Sequence, residues 1–152
     1  MEIINFTNEL LNDIVDIEKA SFERPWTKKM FEDAGNKVAG GNTAGGYAVR
    51  FKAAVENGKT FGYCVYQILG DEAEILNIAV SPDLRKKGFG KAILEHILND
   101  ALKSGAKTVF LEVRESNAPA IGLYLSFGFE KFGTRKKYYI SEDAILLRKN
   151  LQ

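Results

Sequence analysis

The sequence predicts a single α/β (α+β) domain in which a mixed, mostly antiparallel sheet is flanked by helices. Three observations lead to this prediction. Helical apolar spacing occupies the N-terminal part, strand-like segments joined by a tight turn follow, and strands and helices then alternate to the end of the chain. This order is typical of helices packed on one central sheet. No internal repeat or linker divides residues 1–152, so one domain is expected.

Two helices are predicted at the N-terminal end. Thr7 or Asn8 is placed to cap the first helix. Pro25 ends it, and Thr27 is placed to cap a second, shorter helix. The segment 35–46 has five glycines and few apolar residues, which predicts a flexible loop. The apolar positions of the first helix follow helical spacing: Leu10, Leu11, Ile14, Ile17 and Phe22.

The remaining elements are predicted from apolar patterning and turn residues. Asn57-Gly58 accepts the positive φ angles of a tight hairpin turn between two strands. A long amphipathic helix begins at Phe89 and ends before Gly105. Ser116 or Asn117 caps a last, short helix that ends near residues 127–128. Strands are predicted over 47–54, 61–69, 74–80, 108–113, 129–139 and 144–148.

Composition excludes several classes of function. Lys and Arg number 21 against 20 Asp and Glu, so no broad basic surface for direct nucleic-acid binding is expected. No apolar run approaches the ~20 residues that span a bilayer, and residues 1–6 do not resemble a signal peptide, so we expect a cytoplasmic protein without a membrane partner. The only cysteine, Cys64, is predicted to be a strand-packing residue, and with His96 it cannot make a usual zinc set, so no metal is expected.

The most informative segment joins a strand to a helix through a basic, glycine-containing turn. It runs Asn77-Ile-Ala-Val-Ser-Pro-Asp-Leu-Arg-Lys-Lys-Gly-Phe-Gly-Lys91. Glycine lets the backbone approach a ligand, and the first N–H groups of the helix, with its dipole, form an anion site suited to a pyrophosphate. Arg85, Lys86 and Lys87 add positive charge beside it. The segment lacks the P-loop pattern and does not match the Rossmann fingerprint well.

This segment resembles the acetyl-CoA motif of the GNAT superfamily, Arg/Gln-x-x-Gly-x-Gly/Ala between a strand and a helix. Residues 111–129 resemble the family's other hallmark, a strand followed by Asn, a helix carrying Tyr, and Gly-Phe. The resemblance covers about 72–147 and implies acetyl transfer from acetyl-CoA, without a metal, to an amine. The cofactor-binding residues it implies are Ile78, Ala79, Val80, Arg85, Lys86, Lys87, Gly88, Phe89, Gly90, Lys91, Asn117 and Tyr124.

A closer resemblance is to the bacterial ribosomal-protein alanine N-acetyltransferases. It lies in segments outside the CoA motif, among them 22–27, 71–83 and 135–145, and therefore concerns the acceptor. It implies that the substrate is a protein or peptide N-terminus, with a small-subunit ribosomal protein as the candidate partner. The substrate-binding residues it implies are Trp26, Asn77, Tyr138 and Tyr139.

Catalysis requires a neutral amine and a proton for the departing thiolate. An α-amine is neutral in roughly a tenth of molecules at pH 7, whereas a lysine is neutral in about one in 2,500. By resemblance Glu112 is the base, with Glu74 and Glu72 in reserve. Tyr124 is predicted to be the acid, because a phenol can protonate a thiolate. Asn117 lies seven residues earlier, which places both side chains on one helical face.

Two other functions stay open. One is a GNAT enzyme that acts on a small-molecule amine, which an acidic pocket for a polycation would favour. The other is a non-catalytic acyl-CoA-binding regulator, against which the presence of both Glu112 and Tyr124 argues. His96 is expected to be a solvated residue on the polar side of its helix. The sequence does not indicate the oligomeric state.

Overall fold

A computed structural model describes residues 1–40, 47–139 and 142–151, with only the backbone of Tyr139. Single 3-10 turns at Asn8–Leu10 and Pro82–Leu84 accompany the helices and strands of this part of the chain. The helices are α1 Leu11–Ser21, α2 Lys28–Ala39, α3 Phe89–Lys103 and α4 Ala118–Ser126. The strands are β1 Glu2–Asn5, β2 Ala48–Glu56, β3 Lys59–Leu69, β4 Glu72–Val80, β5 Thr108–Arg114, β6 Glu130–Tyr139 and β7 Glu142–Asn150.

The strands form one sheet in the order β1-β2-β3-β4-β5-β7-β6. Neighbouring strands are antiparallel except β4 and β5, which are parallel because α3 connects them. This arrangement confirms the prediction of a mixed, mostly antiparallel sheet flanked by helices. The parallel pair in the middle of the sheet is the feature on which the candidate site depends.

Each face of the sheet packs on its own pair of helices. Along β3 successive side chains point to opposite faces, so Tyr63 and Val65 join the core with α1 and α2, whereas Cys64 and Tyr66 join the core with α3 and α4. Burial raises the pKa of the Cys64 thiol to about 12, and it packs as a small apolar residue, as predicted.

Local turn chemistry follows the sequence closely. Asn57 and Gly58 have φ angles of 52° and 76° between β2 and β3, which confirms the predicted hairpin. The Thr27 hydroxyl accepts a hydrogen bond from the Met30 N–H at 3.2 Å, which confirms the cap of α2. The first helix differs from the prediction, because a 3-10 turn precedes Leu11 and the Thr7 side chain makes no capping bond.

Two predictions about the N-terminal part are wrong. Strand β1 was not predicted, and the predicted loop over 35–46 is helical as far as Ala39, while 41–46 lie outside the described residues. Gly35 lies in α2, where a Cβ atom would come within 2.8 Å of the Phe6 ring. Phe6 in turn stacks on Phe51 at 4.1 Å. Gly35 therefore permits close packing of the helix and does not mark a loop.

Candidate active site

A gap opens in the middle of the sheet where β4 and β5 separate. Their parallel pairing ends at Ile75 and Leu111. At this point β4 has a bulge, because Ile75 pairs with Tyr66 of β3 while Asn77 pairs with Val65. Beyond it, within the described residues, β4 pairs only with β3 and β5 only with β7. The facing backbone edges are thus available to pair with an extended ligand.

The loop that leaves β4 is held by backbone contacts and by one arginine. The Ser81 N–H donates to the Phe61 carbonyl at 2.7 Å. The Arg85 Nε donates to the Val80 carbonyl at 3.1 Å, and its Nη2 donates to the Ser21 hydroxyl at 2.9 Å. Arg85 therefore braces the loop against β4 and α1, while its charge stays at the loop as predicted. Lys86 has a φ of 64°, which turns the chain towards α3.

The start of α3 presents uncapped N–H groups at the end of this loop. Gly88 is the N-cap residue, has a φ of 86° and supplies no capping side chain. The ring of Phe89 lies 5.2 Å from that of Phe61, which anchors the first turn to β3. With Lys86 and Lys87 exposed nearby, this helix end is an anion site of the predicted kind.

Helix α4 holds Tyr124 on the same face of the sheet. The Asn117 side chain accepts a hydrogen bond from the Ala120 N–H at 3.3 Å and so caps α4. Tyr124 is 6% exposed and packs edge-on against Phe129, with ring centroids 5.7 Å apart. Glu142 fixes the turn before α4 by accepting a hydrogen bond from the Ser116 N–H at 2.9 Å.

A groove lies on the opposite face, beside the link between α1 and α2. Its volume is about 270 Å³. Glu112 is 21% exposed, and its Oε1 lies 2.5 Å from Nη2 of Arg135. Glu74 accepts a hydrogen bond from the Gln67 amide at 3.2 Å. The lining residues are Trp26, Glu74, Ile75, Leu76, Glu112 and Tyr138.

The strand gap thus has one candidate catalytic group on each side. Leu111 and Val113 belong to the core that contains Tyr124, and Glu112 alternates with them, so it faces the groove instead. A reacting centre held between the strands would have a carboxylate on one side and a phenol on the other. This geometry suits transfer of a proton from the incoming group and delivery of a proton to the leaving group.

Comparison with known proteins identifies the family. Residues 11–129 match the acetyltransferase (GNAT) family. The chain belongs to this family. Ribosomal protein bS18-alanine N-acetyltransferase of Escherichia coli (strain K12) is 39% identical over 135 residues, which are 86% of this chain and 84% of that protein. The same-named protein of Salmonella typhimurium (strain LT2) is 36% identical with the same coverage.

Structural comparison agrees. The crystal structure of the ribosomal-protein-S18-alanine N-acetyltransferase from Escherichia coli aligns with a TM-score of 0.84 and 33% identity, covering 99% of this chain and 94% of that one. As a GNAT protein the chain is an acetyl-CoA-dependent acetyltransferase. The β4 edge, the following loop and the start of α3 fit the elongated, anionic CoA, because they combine an unpaired strand edge with an uncapped helix end.

The structure brings most of the predicted site residues of this GNAT chain to the gap, with differences at four of them. Asn77 is buried and does not line the groove. The side chain of Tyr139 lies outside the described residues. Glu72 is exposed and lies outside the groove. His96, expected to be solvated, is half-buried, and desolvation lowers its pKa. The roles of Glu112 and Tyr124 stay predictions.

Sequence reasoning missed Glu18, which is 1% exposed and accepts hydrogen bonds behind the groove. A signal was present, because Glu18 lies four residues after Ile14 and next to Ile17 on the apolar side of α1. An acidic residue within an apolar stripe requires partners in the core.

Two structural absences concern the described residues only. In residues 1–40, 47–139 and 142–151, no group of three or more His, Cys, Asp or Glu side chains could hold a metal ion. In the same ranges no helix is long and apolar enough to cross a membrane.

Proposed function

We propose that this GNAT enzyme acetylates the N-terminal α-amine of a protein, and that its substrate is ribosomal protein bS18 or a similar small-subunit protein with N-terminal alanine. The groove beside Glu112 carries the proposal, because it opens onto the gap from the face opposite Tyr124. The relatives named for this reaction, at 36–39% identity over most of the chain, support the same acceptor. This substrate places the reaction in the cytoplasm.

The chain's residues divide the work as follows. Ile78, Ala79 and Val80 offer a strand edge to the CoA arm, and the loop from Arg85 to Lys91 binds the pyrophosphate through N–H groups and positive charge. Acetyl-CoA, when bound, supplies an activated acetyl group as a thioester. Asn117 keeps α4 in place, so that Tyr124 lies against the gap.

The proton transfers follow from the two faces of the gap. The Glu112 carboxylate accepts a proton from the α-ammonium group, directly or through water, which makes the amine nucleophilic. The Tyr124 hydroxyl gives its proton to the departing thiolate. An α-amine needs only modest help, because its neutral fraction at pH 7 exceeds that of lysine by a factor worth about 3 kcal/mol. This difference favours a protein N-terminus over an internal lysine.

The peptide contacts are expected on the groove walls. Trp26 and Tyr138 supply aromatic surface on either side of Glu74, Leu76 and Glu112. An aromatic wall binds a peptide through apolar contact and gives little discrimination by charge. Tyr139 is proposed as a further wall residue at the end of β6.

The test is an acetyl-CoA assay over peptides that differ only in their first residue, with a blocked peptide containing one internal lysine as control. The proposal predicts the highest kcat/KM for N-terminal alanine and a much lower value for the blocked peptide. Preferred turnover of a small polyamine would instead make the two groove glutamates a polycation site. Binding of acetyl-CoA without turnover of any amine would indicate a regulator.

A further inference from the structure

A carboxylate that takes no direct part in the proposed chemistry is buried beside the groove. Glu18 is 1% exposed, and no ion pair among the described residues includes it. Its oxygens accept hydrogen bonds from neutral groups only. A buried carboxylate with neutral partners is expensive to desolvate, so its presence calls for an explanation other than stability.

The partners of Glu18 belong to three separate parts of the site. The backbone N–H of Trp26 donates to Glu18 Oε2 at 2.7 Å. The Asn77 amide donates to both oxygens, at 2.9 and 3.0 Å. The hydroxyl of Tyr63 donates to Oε1, and this contact, after burial, raises the pKa of Tyr63. One side chain therefore ties together the α1–α2 link, β4 and β3.

Two of these partners stand at decisive places. Trp26 forms a wall of the groove, and its ring packs against Phe31 at 5.2 Å. Asn77 follows the bulge at which β4 leaves β5, so it stands at the root of the strand gap. The position of the groove wall relative to the gap is consequently fixed through Glu18.

The next turn of α1 makes the corresponding contact to the CoA loop. Ser21 donates to the Ile17 carbonyl at 2.6 Å and accepts from Arg85 at 2.9 Å. Ser21 thus braces the loop, whereas Glu18 contacts groove and gap. Because these contacts use different residues, loss of Glu18 should affect the acceptor side and spare CoA binding.

We propose that Glu18 is a positioning residue for the acceptor: its carboxylate holds the Trp26 wall at a fixed place relative to the strand gap, so that the acceptor amine meets the gap beside Glu112. The proposal rests on the proposed function. It assigns Asn77 an indirect part in substrate binding, as the ligand of Glu18 in β4.

The chain offers a matched control on the other face of the sheet. Tyr66, three residues after Tyr63 on β3, donates its hydroxyl to Asp100 Oδ2 at 2.7 Å. Asp100 belongs to α3 and touches neither the groove nor the CoA loop residues named above. Glu18→Gln can therefore be compared with Asp100→Asn, and Tyr63→Phe with Tyr66→Phe. Each pair makes the same chemical change to a tyrosine–carboxylate contact.

The first measurement is steady-state kinetics with an N-terminal alanine peptide, together with CoA affinity by calorimetry. Glu18→Gln should raise the peptide KM by about tenfold, the factor expected for a lost hydrogen bond to a charged group, with CoA affinity unchanged. Asp100→Asn should leave the peptide KM within about twofold of wild type. If Glu18→Gln fails to fold, Tyr63→Phe against Tyr66→Phe decides, with a smaller rise expected only in the former.

The second measurement does not depend on activity. Trp26 is the only tryptophan of the chain, so its fluorescence reports on the groove wall directly. Glu18→Gln should shift its emission and increase its quenching by acrylamide, whereas Asp100→Asn should change neither.

Equal peptide KM and equal quenching in the two carboxylate variants would overturn the positioning role. Failure of wild-type enzyme to acetylate the peptide would overturn the proposed function, and the role of Glu18 with it.

Discussion

Glu112→Gln is the perturbation that tests the proposed base. It keeps the shape of the side chain and removes the proton acceptor. The lost ion pair with Arg135 is half-exposed on the arginine side, with 55% of that side chain accessible, and such pairs contribute about 0–1 kcal/mol. The variant should therefore fold, with a Tm within about 4 °C of wild type.

The effect on the reaction should be much larger and should depend on pH. At pH 7 we expect kcat/KM for an N-terminal alanine peptide to fall by ~10²–10⁴, the range for a lost proton-transfer group. As pH rises to 9 the neutral fraction of the amine increases from roughly a tenth to nearly all, so the defect should shrink by about tenfold. The assay is a pH series of kcat/KM for wild type and variant.

Arg135→Gln is the matched control, because it breaks the same ion pair and leaves the carboxylate. It should retain most of the activity. A Glu112→Gln defect that stays constant through the titration of the amine, or that Arg135→Gln reproduces, would refute the assignment. Glu74, which lines the same groove, would then be tested as the base.

Further predictions concern the cofactor loop, the acid and stability. CoA should raise the Tm of wild type; Gly88→Ala should reduce that rise and cost about 1–2 kcal/mol, because Gly88 has a φ of 86°, whereas Gly90→Ala should fold and retain it, because its Cβ would meet only Leu123 and Val80 at 3.6 and 3.8 Å. Both shifts are read by calorimetry, and equal shifts in the two variants would contradict the loop assignment. Tyr124→Phe should lower kcat by ~10²–10⁴ with CoA affinity unchanged, since the ring keeps its packing; an unchanged kcat with chemistry rate-limiting would make Tyr124 a packing residue only. Hydrogen bonds from Ser116 lower the pKa of Glu142, so its contribution to stability is present at neutral pH and lost in acid; Glu142→Gln should flatten the dependence of Tm on pH below roughly pH 4, and an unchanged slope would contradict this.

The parts of the fold that the sequence predicts well are those with strong local chemistry. Asn57-Gly58 determines a turn, and Thr27 determines a helix start, because each depends on its immediate neighbours. Strand β1 escaped prediction because it has only four residues and is an edge strand stabilised by pairing with β2. Gly35 misled because its reason is a contact with Phe6, which is distant in sequence.

The site shows the same division. The loop ending at Gly88 is a contiguous motif, so its place before α3 was predictable. The gap and the groove depend on the bulge in β4 and on side chains from several elements, which spacing alone does not bring together. Asn77 was expected at the substrate surface because Glu18, its partner 59 residues earlier, was not recognised as a core residue.

The central claim is transfer to an N-terminal α-amine, and the most direct measurement locates the acetyl group. A peptide with a free N-terminal alanine and one internal lysine is incubated with enzyme and acetyl-CoA and then sequenced by tandem mass spectrometry. The account predicts acetylation of the α-amine, with lysine modified much more slowly. Acetyl groups found mainly on the lysine would contradict it.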